Sequence, residues 1–322
     1  MRRPWALPLS PFYAAGALLR DVGLRVGLER TKKLRSPVIS VGSLSAGGAG
    51  KTPFVIALAA MLKAKGVDVL SRGYGRSGDA VERVERVEPG GSAERFGDEP
   101  LLIARETGLP VFVGARRFEA GLLAESQADG PGLHLLDDGF QHRQLARDLD
   151  IVLVSSEDLN DWLLPAGNLR ERVVALRRAS VLAVPLGDDA AVARLQLLGL
   201  RQPVWRFRRV MDASRVRGRV LAFCGIARPG QFFAGLEEAD VSPVAKHAFP
   251  DHHRFSAADI ALLNRLAGGA AAQAFVTTAK DHVRLGPLAA QLTLPVRVAS
   301  LRIEIENAPA AVAWLERALG LP

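Results

Sequence analysis

The sequence predicts an α/β fold: a parallel sheet with helices on both faces, plus a second, smaller α/β domain. Three observations predict it. Short aliphatic runs alternate with helical stretches between residues 38 and 184, the pattern of parallel strands joined by crossover helices. The first run, residues 38–41, leads through the glycine-rich stretch 42–50 into an apolar helical segment, 54–62. A second strand-loop-helix unit starts at residues 220–226, after a basic, strand-like run over 203–210.

At 322 residues the chain has room for about two domains and a large core. Its single cysteine, Cys224, excludes an intrachain disulfide and a cysteine-rich metal cluster, and fits a reducing compartment. No run of 18 apolar residues exists, so no spanning helix is expected. The net charge of +8 is concentrated: residues 1–36 carry eight basic residues against Asp21 and Glu29. This uneven distribution argues against a nucleic-acid surface spread over the fold.

Residues 1–36 read as a proline-broken aromatic entry followed by a helix, with Ser10 as N-cap and Pro11 at its first position. Phe12, Ala15, Leu19, Val22 and Val26 recur at helical spacing, with basic residues toward the C-terminal end. Such a basic amphipathic helix either lies in an anionic membrane interface or docks on the protein with its charges in water. A signal peptide is the third reading, disfavoured by the prolines.

Residues 37–53 organise the rest. Strand, glycine loop, Gly50-Lys51-Thr52 and helix are the layout of a phosphate-binding P-loop, so the sheet is expected to be P-loop NTPase-like. Backbone N–H groups of Ser45, Gly47, Gly48, Ala49, Gly50, Lys51 and Thr52 would surround the phosphates of ATP, helped by the helix N-terminus. Lys51 would reach the β- and γ-phosphates and Thr52 would ligate Mg²⁺. The strict pattern places glycine where Ser45 stands; Gly47 and Gly48 supply the freedom.

Residues 67–70 form the next strand, running into Ser71-Arg72-Gly73-Tyr74-Gly75-Arg76, where arginines and a tyrosine suit an anionic or sugar ligand. Residues 79–96 read as an exposed, charged hairpin or loop. Asp98 and Glu99 precede the helix 101–107; they are either helix-start acids or present a carboxylate to the site. A strand over 110–114 is followed by Arg116 and Arg117.

The strand 133–136 ends in Asp137 and Asp138. In P-loop enzymes an acid at a strand end holds Mg²⁺ opposite the loop Ser/Thr, and two adjacent acids would repel without a cation. Gln141 and His142 offer further polar groups at that edge. Strands at 150–154 and 180–184 bracket Arg170 and Glu171, which either contact a phosphate and the metal or form a helix-start ion pair. All these groups follow strands, at the edge where α/β sheets bind ligands.

The second unit holds Asp251-His252-His253, a helix over 256–266, a strand over 274–277 followed by Thr278-Ala279-Lys280-Asp281, and a long strand over 295–305. Adjacent histidines point apart on most backbones, so a histidine paired with a carboxylate for proton transfer is favoured over a metal site. The expected organisation is an N-terminal segment, 1–36, and a P-loop domain, 37–202. Two linker strands, 203–215 and 297–305, flank a smaller domain, 216–296. A closing helix in 306–322 returns to the P-loop domain.

Taken together, the P-loop with its trailing Pro53, Ser71-Arg72-Gly73-Tyr74-Gly75, Gly97-Asp98-Glu99-Pro100, residues 137–142, Leu164-Pro165-Ala166-Gly167 with Leu169-Arg170-Glu171, residues 249–253 and residues 277–281 resemble the tetraacyldisaccharide 4′-kinase (lipid A 4′-kinase) family over nearly the whole chain. Ser43 stands where the family usually has Asn, and Ala279 where it has Glu.

The resemblance implies ATP-dependent phosphorylation of the 4′-hydroxyl of a lipid disaccharide 1-phosphate at the cytoplasmic face of the inner membrane. It also implies two α/β/α domains, a two-stranded linker and an N-terminal membrane-associated helix. Asp98 would take the hydroxyl proton, assisted by a histidine of 251–253, with His252 favoured. Lys51 and Asp138 would act in transfer, Thr52, Asp137, Asp138 and Glu171 at the metal, and Arg72, Tyr74, Arg116, Arg117, Gln141, His142 and Arg170 toward the acceptor. No nucleic acid and no protein partner is expected. The competing class is a membrane-associated switch ATPase. Those usually carry an extra lysine where Ala46 stands, and no Asn-Lys-x-Asp guanine motif is present.

Overall fold

The computed structural model describes residues 3–25, 30–128 and 130–321. The strands are β1 (Val38–Ser43), β2 (Val67–Ser71), β3 (Glu85–Arg86), β4 (Val111–Val113), β5 (Leu133–Asp137), β6 (Leu149–Leu153), β7 (Val181–Pro185), β8 (Val204–Asp212), β9 (Val220–Cys224), β10 (Ala245–Ala248), β11 (Ala274–Thr278) and β12 (Val296–Ile305). The helices are α1 (Ser10–Arg25), α2 (Lys51–Met61), α3 (Ala93–Phe96), α4 (Asp98–Thr107), α5 (Arg117–Glu125), α6 (Ser156–Leu159), α7 (Asp189–Leu197), α8 (Pro229–Glu238), α9 (Ala257–Gly269), α10 (Ala279–Leu285) and α11 (Ala308–Leu319).

One sheet runs through the molecule in the order β10-β9-β11-β12-β8-β7-β6-β1-β5-β2-β4-β3. All pairs are parallel except β3 with β4 and β8 with β12. Strands β1, β2, β4, β5 and β6 are buried along their full length, as expected where helices cover both faces. Side chains alternate between layers. Ile39 and Val41 join Phe54, Leu58, Leu101 and Ile103 on one face, whereas Val38, Leu70 and Leu136 join Ala120 and Ala124 on the other. The smaller sheet alternates likewise, Val220 and Ala222 against Leu221 and Phe223.

The ribbon of β8 and β12 sets the geometry of everything between the two sheets. Thr278, the last residue of β11, lies beside Ala299 of β12. From Ser300, paired with Asp212, to Ile305, paired with Phe207, β12 runs along β8. Phe207 in turn lies beside Pro185, the last residue of β7. The carboxyl edges of the two parallel sheets therefore face each other across a ribbon about six residues, or roughly 20 Å, long. Each edge is where such sheets bind ligands. The closing helix α11 packs on the larger sheet, with Trp314 edge-on to Trp205 at 5.9 Å and Glu316 2.7 Å from Lys65.

Several local expectations change. Ser10 does not cap α1: a 3₁₀ turn, Pro4–Leu9, runs directly into the helix, Ser10 is itself helical, and its hydroxyl donates to the Leu163 carbonyl. Val26 of the expected amphipathic pattern lies outside the described residues, and the side chains of Leu19 and Val22 are likewise not described. Residues 79–96 are not a plain exposed hairpin. They carry a 3₁₀ turn, the edge strand β3 and helix α3, drawn together by Arg76, whose guanidinium meets Glu85 and the Arg83 and Arg95 carbonyls. The same contacts remove Arg76 from the ligand-facing set.

Gly42 belongs to β1 rather than to the phosphate loop. A Cβ there would stand 2.5 Å from the Phe140 Cβ and 2.9 Å from its backbone nitrogen, so the residue is small because the turn after β5 packs onto the strand. Gly42→Ala is expected to lower stability by ~1–3 kcal/mol through overpacking. The midpoint of urea unfolding checks this; an unchanged midpoint would show that the turn yields freely.

Candidate active site

The glycine loop occupies residues 44–50 between β1 and α2. Gly47, Gly48 and Gly50 have φ of 75°, 69° and 80°, the left-handed region glycine enters without penalty. The loop is pinned from the side: the Ala46 N–H donates to the Asn168 carbonyl and the Arg170 N–H to the Leu44 carbonyl, both at 2.8 Å. Ser45 is buried beneath it and bridges Leu169. Lys51, first residue of α2, extends its Nζ to 3.3 Å from the Ser43 hydroxyl and 3.5 Å from Asp138. Thr52 follows it, half-buried.

The paired acids at the end of β5 part company. Asp138 has a left-handed backbone (φ 51°), and its two oxygens receive the Arg170 fork at 2.8 and 2.7 Å. Burial alone would push its carboxyl up, but Lys51 and Arg170 hold it well below the usual range. Asp137 is buried, accepts a bond from the Ser71 hydroxyl at 3.1 Å, and is pushed up to about 7 by burial and then by Glu99 and Asp138. The expectation that the pair needs a cation to coexist is therefore corrected for Asp138, whose charge Arg170 and Lys51 offset. The same fork engages the Arg170 guanidinium with an acid. Glu171 is bound by Arg178 at 2.8 Å. Among the described residues no three acids or histidines are gathered as a metal site, and the Arg178 bond engages one of the two Glu171 oxygens. Gln141 donates to the Ser43 carbonyl at 3.0 Å, and His142 closes the turn after β5 through its N–H to Gly139.

A second cluster joins the two sheets. Gly97 (φ 87°) lies where a Cβ would stand 2.9 Å from the Tyr74 carbonyl, so α4 begins hard against the 73–75 turn and buries Asp98. The Asp98 carboxylate, 5% exposed, meets Arg284 Nε at 2.7 Å and Nη2 at 2.5 Å, His252 Nδ1 at 3.3 Å and Lys280 at 3.7 Å. Lys280 also bonds Glu99 at 2.9 Å. Burial raises the Asp98 carboxyl, but His252, Lys280 and Arg284 outweigh it and hold the group well below the usual range. Lys280 shifts upward accordingly, as Glu99 and Asp98 outweigh its own burial. Arg284 is anchored behind by Asp281 at 3.0 Å and by the Gly225 carbonyl at 2.6 Å. Asp281 is fully buried and receives the Gly225 N–H and the Thr278 hydroxyl.

Of the two histidines, the left-handed residue His252 (φ 56°) reaches this cluster, with Tyr74 edge-on at 5.1 Å. His253 turns away to Asp259 at 3.0 Å and stacks on Phe249. Arg72 is exposed at the end of β2. Arg117 is buried and lowered to about 10 by burial, then by Arg72, against the opposing pull of Asp138 and Asp137. Arg116 points away, 78% exposed and paired with Glu119. Sequence reasoning missed Arg284 and the partners Lys280 and Ser71. The Thr278…Asp281 cap at the mouth of β11, with basic residues just after it, was the available signal.

A family model described as LpxK, tetraacyldisaccharide-1-P 4′-kinase, matches residues 2–320. The chain belongs to this family. A tetraacyldisaccharide 4′-kinase of Koribacter versatilis (strain Ellin345) is 44% identical over 95% of this chain and 96% of its own length. One of Syntrophus aciditrophicus (strain SB) is 39% identical over 95% and 91%. The crystal structure of the "apo" form of LpxK from Aquifex aeolicus in complex with ATP aligns over 98% of each chain, with 32% identity and a TM-score of 0.75. The family likeness thus spans both sheets and the ribbon between them.

Removing Arg284 strands a buried carboxylate. Arg284→Gln is expected to cost ~3–5 kcal/mol at neutral pH. Because Asp98 is depressed in the folded state, the pair contributes fully above about pH 4 and is lost as the pH falls below that. Unfolding free energies of both proteins against pH should converge in acid; a constant gap would mean the pair is not what Arg284 supplies.

Proposed function

We propose that this chain transfers the γ-phosphoryl group of ATP to the 4′-hydroxyl of a tetraacyldisaccharide 1-phosphate. The observation that carries the reading is the convergence, within a family match over the whole chain, of a Gly-Lys-Thr loop and a proton-accepting pair on facing sheet edges. Lys51 lies 3.5 Å from Asp138 on one side, and Asp98 lies 3.3 Å from His252 on the other. Lys280 of the smaller sheet bonds Glu99, the residue after Asp98, at 2.9 Å, and the charge of Glu99 in turn helps to raise the Asp137 carboxyl.

Phosphoryl transfer depends on positioning and on offsetting charge. In this reading the glycine loop and the start of α2 seat the phosphates, and Lys51 neutralises charge on the transferring group. Mg²⁺ binds with one or two carboxylates beside phosphates and water. The Thr52 hydroxyl and Asp137, whose buried carboxyl faces two further acids, suit it, with Asp138 held by Arg170 behind them. Bound there, the ion would neutralise phosphate charge. Asp98, kept anionic by Arg284, orients the 4′-hydroxyl. The carboxylate takes the hydroxyl proton, as the catalytic acid does in related transfers, and His252, 3.3 Å away on the same carboxylate, assists it. Arg72, Tyr74 and Arg117 line the approach of the acceptor.

The N-terminal segment suits an acylated substrate. Trp5, Leu7, Leu9 and Phe12 are exposed, while the Arg3 N–H and the Ser10 and Tyr13 hydroxyls bond the Ala166, Leu163 and Arg170 carbonyls. An apolar surface is thus tied to the loop that pins the glycine turn. We read this face as lying in the lipid interface at the cytoplasmic side of the inner membrane. No described helix is long and apolar enough to cross a membrane. We read the chain as two domains, 37–202 and 216–296, joined by the ribbon.

Transfer of ³²P from γ-labelled ATP with Mg²⁺ to the purified tetraacyl disaccharide 1-phosphate in micelles tests the reading. A labelled bisphosphorylated lipid that disappears with Lys51→Ala is the expected result. ATP hydrolysis with no labelled lipid would overturn it.

A further inference from the structure

The glycine loop is touched by two arginines that the transfer chemistry above does not use. Arg209, in the ribbon strand β8, donates through Nη2 to the Ala49 carbonyl at 2.9 Å. Arg228 comes from the other sheet, in the turn between β9 and α8. Its side chain lies across Gly48, where a Cβ would stand 2.8 Å from Nε. Its Nη1 reaches Glu157 of α6 at 3.0 Å. Gly48, Ala49, Glu157, Arg209 and Arg228 share the wall of one cavity of about 170 Å³.

The electrostatics of this corner are unbalanced. Arg209 is lowered by burial and then by Arg228, with Asp158 and Glu157 opposing. Asp158 is already engaged, accepting from the backbone and hydroxyl of Ser155. Glu157 is 70% exposed on its side chain and Arg228 34%, so their ion pair is weakly held. A polyphosphate on the glycine loop carries several negative charges on strong acceptors, in place of one exposed carboxylate, and guanidinium forks match such oxygens.

We propose that Arg228 is a phosphate-binding residue delivered to the glycine loop from the smaller sheet, and that Glu157 competes with ATP for it. The proposal rests on the reading that residues 47–52 seat the phosphates of ATP. It makes nucleotide binding a two-sheet event: the phosphates replace Glu157 as the partner of Arg228 and thereby hold the start of α8 against the loop. Arg209 has a separate role, holding the loop carbonyl at Ala49.

Exchange and a static ion pair predict opposite signs. ATP binding is measured by titration calorimetry on the full chain with Arg228→Gln, Glu157→Gln, the double variant and Lys51→Ala. Loss of a charge-assisted contact should weaken ATP about ten- to a hundredfold in Arg228→Gln. Removing the competitor should tighten ATP up to about fivefold in Glu157→Gln, and the double variant should match Arg228→Gln. If Arg228 and Glu157 only staple the two sheets together, both single variants shift affinity in the same direction, and the proposal fails. If Lys51→Ala weakens binding while Arg228→Gln binds like the parent, this inference alone falls. If neither weakens it, the loop is not the nucleotide seat, and the functional reading falls with it. Glu157→Gln changes an exposed side chain, so its outcome does not depend on a buried contact surviving.

Discussion

A buried carboxylate shared between two sheets is the constraint on which the rest of the structure depends. Asp98 sits at the start of α4, yet the groups that offset its charge, Arg284, His252 and Lys280, all come from the smaller sheet. An ionised group this buried is tolerated only when it is paired. The pairing is itself backed by fully buried Asp281, which fixes the far side of the Arg284 guanidinium. The two sheets therefore complete one site, and neither carries it alone.

The ribbon of β8 and β12 makes that sharing possible. Its two strands each belong to both halves, and their antiparallel overlap from Phe207–Ile305 to Asp212–Ser300 separates two carboxyl edges that point at one another. The glycine loop, the acid pair after β5 and the start of α4 face across this gap toward the turns after β9, β10 and β11. Burial then sorts the acids. Asp138, forked by Arg170, stays ionised; Asp137, behind Ser71 and beside Glu99, is pushed toward neutrality. Neighbouring acids whose environments drive them apart are a recurring way to assign different tasks to one residue type.

Much of this was legible in the chain. Periodicity located ten of the twelve described strands to within a few residues, because buried parallel strands read as continuous aliphatic runs. It missed β3 and β10: Glu85–Arg86 is a two-residue edge, and Ala-Lys-His-Ala carries almost no hydrophobic signal. Strand-end position brought Lys51, Asp98, Asp137, Asp138 and His252 to facing edges. The expectations that changed share one physical origin, since which ion pairs form, near or far along the chain, is not legible in sequence. Glu171 bonds Arg178 at 2.8 Å, and Arg116 is exposed and paired with Glu119 while Arg117 beside it is buried. Arg284 and Arg228, which come from the other sheet to reach Asp98 and the glycine loop, had no local signature at all.

In the proposed transfer, Asp98 and His252, contributed by opposite sheets, act on the transferred proton as one unit. The most direct test is the turnover number of Asp98→Ala, His252→Ala and the double variant in the lipid phosphorylation assay. Groups acting as a unit lose their effect together. Each single change should cost ~10²–10⁴-fold, and the double variant should be no slower than the worse single one. Losses that multiply, single by single, would contradict the account and make the contact across the sheets incidental to the chemistry.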